Sequence, residues 1–281
     1  MILFKHELRQ SRVSLAVWTG GIGLLMVICL LLFPEMKQQM AGVSKIFASM
    51  GSFTAAFGMD RLTFGELTGF YAIECGNVMG LCGSFFAALI AVNALSKEER
   101  DHTAEFLLSH PVSRRRVVAE KLCAVVAQIL ILNAVVLALS LVTVAAVGEA
   151  IPWKELLLLH LGYFLLQLVL SGICFGISAF LRRGAAGVGL GVAAMLYFLN
   201  LAANISRSAR FLKYITPFGF CEGADIVGSG AIDGGMLALG LLYGALGVAI
   251  AFVHYCKKDI HLHTCGGVRV PRPTVQNKSG Q

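Results

Sequence analysis

LCAVVAQILILNAVVLALSLVTVAAVG, residues Leu122–Gly148, runs for twenty-seven residues without one charged side chain. A helix needs about 20 apolar residues to cross the hydrocarbon layer of a bilayer, and in lipid the backbone amides of a single segment are satisfied only by helix. The stretch therefore predicts a spanning helix. Working outward, Cys75–Ser96 lies before it and Val13–Phe33 before that. Leu156–Leu181, Gly184–Ser206 and Gly234–Cys256 follow, all free of Asp, Glu, Lys and Arg. None alternates apolar with polar residues as a barrel strand does. The chain is 57% hydrophobic and 14% charged, with a mean hydropathy of +0.77, whereas soluble domains carry about a quarter charged residues. The fold class expected is all-α integral membrane, with a single membrane-spanning unit over 1–260. Its six transmembrane helices are expected over 13–33, 75–96, 117–148, 155–181, 184–206 and 234–256.

Charge sets the expected orientation. With the N-terminus inside, sixteen of the twenty-three basic residues fall on inner segments, and the outer ones hold nine acidic residues against seven basic. The positive-inside rule then places both termini in the cytoplasm. Residues 1–12 read as an N-terminal interfacial helix: Ile2, Leu3 and Phe4 face lipid, and Lys5, Arg9 and Arg12 meet headgroups. In the long first outer segment, Ile46–Met59 is charge-free but too short to span. It reads either as an interfacial or re-entrant piece or as a loop packed on helix ends. A tight outer turn is expected at Glu149–Pro152 and an inner one at Arg182–Gly184. Between spans five and six, Pro217–Phe218–Gly219–Phe220 predicts a re-entrant helical hairpin of two short helices. Residues 261–281, with Pro271 and Pro273 and no apolar period, are expected to be a disordered cytoplasmic tail.

One polar island interrupts this pattern: Ser96–Lys121, SKEERDHTAEFLLSHPVSRRRVVAEK. Ser96 with Glu99 three residues on is a capping-box pattern that starts a helix. Glu98, Glu99 and Asp101 then suit the positive end of its dipole. Pro111 disfavours helix at His110, Ser113 can cap the next helix, and Arg114, Arg115 and Arg116 mark the inner boundary of span three. The product is a short amphipathic helix slung beneath the membrane, with Phe106, Leu107 and Leu108 as an apolar knob between charged flanks. A plain solvated loop has little reason to carry that knob. A docking surface for a soluble partner accounts for both knob and charges.

The run Thr103–Ala104–Glu105–Phe106–Leu107–Leu108, then Pro111–Val112–Ser113–Arg114 with Lys121 beyond, resembles the signature of ABC transporter permeases of the type-2 (ABC-2) export class. It departs from the usual pattern at His102, where glycine is common, and at Ala104, where leucine is. The resemblance implies that this is the coupling helix between spans two and three, seated in a groove of an ATP-binding subunit. By that resemblance Glu99, Thr103, Glu105, Phe106, Leu107, Leu108, Pro111 and Arg114 make or shape the contact. It implies two copies of the ATP-binding subunit, a second permease copy or a related permease, contact with membrane lipid but not nucleic acid, and a multi-pass protein of the cytoplasmic membrane working as an exporter.

No GxxxxGK[ST] phosphate-binding loop occurs in the chain. The chain is thus expected not to be an enzyme itself and to hold no cofactor; ATP and magnesium would sit on the partner. None of the six runs carries the ionisable groups on which a secondary transporter relies. Glu74 reads as a hydrated residue at the outer edge of span two, with a gate as its functional alternative. His160 and His254 read as facing headgroups. Asn93, Gln128, Asn133, Gln167 and Asn200 read as helix-joining polar groups. Gly184, Gly187, Gly189 and Gly191 form a small-residue face, for packing within the chain or between permeases. The eight cysteines include no CxxC pair and read as apolar fillers. His261, His263 and Cys265 are of metal-binding type, but three such residues in a flexible tail do not make an expected metal site. Two other readings stay open. One is a non-transporting anchor or sensor that recruits a cytoplasmic ATPase. The other is an intramembrane enzyme, because Glu98–Glu99 begins an EExxxR protease motif, although Thr103 stands where arginine is required.

Overall fold

The structure is a computed structural model that describes residues 2–39, 49–96, 113–181 and 185–257. Among them the regular elements are helical, and six helices are long and apolar enough to cross a membrane. In chain order these are α1 (Ile2–Gln38), α2 (Gly51–Ala56), α3 (Leu67–Asn77), a π-helical turn (Val78–Gly83), α4 (Ser84–Asn93), α5 (Arg114–Val147), α6 (Trp153–Ser178) and α7 (Ala185–Ile205). Two 3₁₀ segments (Arg207–Tyr214 and Pro217–Cys221), α8 (Gly223–Ser229) and α9 (Gly234–Lys257) complete the order. Helices α3 and α4, joined through the π turn, make one spanning unit.

Helix α6 is the axis of the bundle. In its most apolar stretch 61% of residues are buried, against 22% in α9 and 28% in α1 and α7. Helices α9, α4 and α5 pack on it, while α1 packs on α5 and α7 on α4. The exposed rows Leu24, Leu31, Val142, Phe198 and Leu246 face away from the core, as expected of helices whose solvent on that side is lipid.

Three expectations change. The interfacial helix and the first span are one helix of 37 residues, about 55 Å long. No helix breaker stands between the charged turns and the apolar run, so the change of polarity does not end the helix. Leu3 packs into the core cluster around Val117 and Val118, and the Phe4 amide donates to Glu120 on α5 at 3.1 Å. The helical unit of span two begins at Leu67, not at Cys75, so Glu74 lies inside a helix, half-buried beside Cys29 of α1. Between α7 and α9 the chain forms three short helical pieces in place of two, and Pro217–Cys221 is buried throughout. There Thr216 accepts the Phe218 amide at 3.3 Å and donates to the Leu196 carbonyl at 2.8 Å, which pins the buried turn to α7.

Of residues 46–59, the described part holds α2, which packs against α7. The turn at Glu149–Pro152 is present: Gly148 ends α5 at φ 80°, a left-handed conformation natural to glycine. Glu149 pairs with Lys37 at the end of α1 at 2.7 Å. The Arg182–Gly184 turn and the tail 261–281 lie outside the described residues.

The π turn has an identifiable cause. Gln167 of α6 projects at Gly83, where a Cβ would come within 2.2 Å of its Nε2. Its Nε2 donates to the Met79 carbonyl at 3.4 Å, and its Oε1 accepts from Asn133 Nδ2 at 2.7 Å. The wide turn thus lets a buried amide knit α3–α4, α5 and α6 together, a common use of such bulges. A Gln167→Leu variant leaves Asn133 without its partner in α6 and should be destabilised by about 1–2 kcal/mol. A lowered thermal unfolding midpoint in detergent is the expected measurement.

Candidate functional site

The described residues on either side of the polar island form a compact frame. Before the island, α4 ends in a buried turn in which the Leu95 amide donates to Ser178 Oγ of α6 at 2.9 Å. Ser96 Oγ donates back to the Val92 carbonyl at 3.2 Å. After the island, Ser113 caps α5 as its sequence position predicts, its Oγ accepting the Arg116 amide at 3.4 Å. Arg114 is the first residue of α5.

Lys121, two turns into α5, is the centre of the frame. Its side chain is only 1% exposed. Nζ donates to the Ala94 carbonyl at 2.6 Å and pairs with Glu7 Oε1 at 3.1 Å. The C-terminal turns of a helix present carbonyls that no intrahelical amide takes, and an ammonium is a strong donor to one of them. Glu7 supplies the opposite charge that a buried lysine needs. Beside it, Glu120 accepts from Arg116 Nε at 2.8 Å and from the Phe4 amide at 3.1 Å. Two adjacent residues of α5 therefore grip α1, and one of them also grips the exit of α4. Both ends of the island are held at a fixed separation on the side of the bundle that carries the N-terminus.

Glu99, Thr103, Glu105, Phe106, Leu107, Leu108 and Pro111 lie outside the described residues, as do Glu98 and His110. Of the residues expected to couple, Arg114 alone is placed. Lys121 belongs to the run that carries the resemblance, but the sequence does not show it buried. Its burial depends on Glu7 and Ala94, 114 and 27 residues away, and nothing local signals it.

Other polar residues take varied places. Asn133 and Gln167 join helices as expected, whereas Asn93 and Gln128 bond to carbonyls of their own helices. His160 does not face headgroups: it is 4% exposed, with Nε2 2.5 Å from the Tyr71 hydroxyl. His254 stacks on Phe180 with ring centroids 4.0 Å apart. On α7, Gly189 packs against Val92 and the Ala88 carbonyl, while Gly187 and Gly191 face open space. The close glycine-to-glycine contact is elsewhere, between α6 and α9. A Cβ on Gly172 would meet the Gly244 carbonyl oxygen at 2.6 Å, and one on Gly247 would meet the Gly172 oxygen at 2.3 Å. No group of metal-ligating side chains occurs among the described residues.

A family model described as ABC-2 family transporter protein matches residues 1–260. The chain belongs to that family. No curated protein and no solved structure matches it. As an ABC-2 family member it is a multi-pass membrane protein and the permease component of an ABC transporter. Within the family the transmembrane component is not itself the catalytic one, and it works with an ATP-binding subunit. The frame around Lys121 is a feature of this ABC-2 chain that the family match alone does not describe.

Proposed function

We propose that the chain is the membrane-spanning half of an ABC exporter, energised by a separate ATP-binding subunit that docks on residues 97–112. The observation that carries this reading is the frame: Lys121 ties the exit of α4 to the entry of α5 and to α1. A segment slung between two rigidly joined helices transmits a push from below as a movement of both helices. ATP and magnesium belong to the docked subunit, of which two copies serve two permeases, either identical or related. Closure of the paired ATP-binding subunits drives the two segments together, and the bundles shift at their mutual interface to change access to the path between them. The excess of basic residues on the termini's side supports a cytoplasmic N-terminus and tail.

The apolar knob supplies the test. Replacing Phe106 and Leu107 together with aspartate should leave insertion and yield unchanged, because the flanking apolar runs, not these two residues, supply the spanning length. Co-purification of the ATP-binding subunit should fall at least tenfold, as expected when an apolar anchor of an interface is charged. Undiminished co-purification with normal stimulation of ATP hydrolysis contradicts the docking assignment.

A further inference from the structure

At the end of the bundle opposite the Lys121 frame, α3, α6, α7 and the 56–62 and 217–224 segments line a small half-open cavity of about 50 Å³. At about 10–15 Å³ for each water-sized group, that is room for about three to five heavy atoms. Its chemistry is lopsided. Glu222 lines it, with its side chain 9% exposed. One oxygen of that carboxylate, Oε2, takes the amide groups of Asn200 and Asn204 at 3.2 and 2.9 Å. The other, Oε1, is 3.7 Å from Arg61 Nη2, beyond hydrogen-bond reach. Asn200 is 6% exposed, and its Oδ1 has no hydrogen-bond partner. The bond to Glu222 fixes which end of that amide is oxygen. Asn77 also lines the cavity, and its Oδ1 accepts from the Tyr197 hydroxyl at 3.4 Å.

One acceptor, Asn200 Oδ1, thus lacks a donor, and another, Glu222 Oε1, is anionic with its cation at 3.7 Å. Aromatic rings of Tyr163, Tyr197 and Phe218 complete the wall. No lysine or arginine lines the cavity among the described residues. Arg61 pairs with Glu222 at 3.7 Å and is bound to Asp225, which Lys213 also contacts at 3.3 Å. A carboxylate or phosphate would meet the Glu222 carboxylate, whose partner Arg61, at 3.7 Å, is itself bound to Asp225. A neutral polar molecule would leave the second carboxylate oxygen poorly satisfied. The group that answers this set is a small protonated amine, whose N–H donors match Oε1 and the orphaned amide oxygen and whose charge suits both the carboxylate and the ring faces.

We infer that this cavity is a binding site for a primary ammonium group carrying a short carbon chain, formed within a single permease and independent of how the permease is energised. The ammonium comes either from a free amine or from the ethanolamine headgroup of a lipid.

The probe is ethylammonium chloride, added to the purified full-length chain near neutral pH, with thermal unfolding followed by intrinsic fluorescence. Against sodium chloride at equal concentration, ethylammonium should raise the midpoint of the wild type saturably. Tetramethylammonium, which has no N–H and does not fit, should not raise it. Glu222→Gln and, separately, Asn77→Leu, which spares the Glu222 bonds, should each weaken the half-saturating concentration at least tenfold. Repeating the titration in nanodiscs separates the two sources. A response lost in phosphatidylethanolamine but kept in phosphatidylcholine identifies the headgroup as occupant; a response equal in both identifies a free amine. Equal midpoints in ethylammonium and sodium for the wild type, or an undiminished response in Asn77→Leu, would overturn the site and leave the energisation account untouched.

Discussion

Lys121→Met should lower the stability of the permease by about 3 kcal/mol, the lower end of what breaking a buried ion pair costs. The substitution nearly matches the side chain in length, so little packing volume is lost. What it removes is the ammonium shared by Glu7 and the Ala94 carbonyl at 3.1 and 2.6 Å. The carbonyl then lies in a turn where Ala94 is 8% exposed, and a buried acceptor without its donor costs about 1–3 kcal/mol. Glu7, 15% exposed in its side chain, can recover part of its solvation. Glu7→Gln should therefore cost clearly less, because the lysine keeps its carbonyl. Detergent unfolding midpoints should rank wild type, then Glu7→Gln, then Lys121→Met. Equal midpoints for the two variants would locate the stabilisation in the ion pair alone. In the coupled complex Lys121→Met should also depress transport more than ATP hydrolysis, since the frame that carries the motion has been loosened and the hydrolytic site has not been touched.

Gly247→Leu should prevent recovery of a folded permease. The contact it strikes is backbone: a Cβ at 247 would lie 2.3 Å from the Gly172 oxygen and 2.8 Å from its carbonyl carbon. No side chain can rotate away, and α6 cannot retreat because α4 and α5 pack on it too. Overpacking a core costs about 1–3 kcal/mol where neighbours can adjust, and helix pairs joined through small residues in a membrane depend on that close approach. Gly187→Leu is the matched control. Nothing lies within 4 Å of its Cβ position, so yield and gel-filtration profile should equal those of the wild type. Similar losses for both variants would point to a general intolerance of added bulk rather than to the α6–α9 contact.

The helices were legible in the apolar runs because hydrophobic length is a property of the chain alone. Their ends were less so. Charge at Lys5–Arg12 and at Glu74 marks no boundary: α1 runs through the first and α3 through the second. A charged side chain with a partner does not stop a helix, whereas caps do, and Ser113 was read correctly on that ground. The glycine contact was written in the sequence as Gly172-Ile-Cys-Phe-Gly176 and Gly240-Leu-Leu-Tyr-Gly244, the small-xxx-small spacing of close-packed helices. The denser glycine run of α7 drew the reading instead. The π turn and the burial of Lys121 were not legible at all. Each is made by residues brought in from elsewhere: Gln167 against Gly83, and Glu7 with Ala94 around one ammonium. The resemblance in Thr103–Arg114 pointed to the family that the match over residues 1–260 then established.

A photo-reactive phenylalanine analogue at position 106 tests most directly whether residues 97–112 receive the motor. In membranes containing the ATP-binding subunit that co-purifies with the wild type, irradiation should join the two chains covalently. The yield should change when ATP is added, because the docked subunits move against the bundle. The same analogue at Phe198, which is 65% exposed on the opposite half of α7, should give lipid adducts only. Crosslinking to the ATP-binding subunit absent at 106, with the permease expressed and inserted normally, would contradict the account.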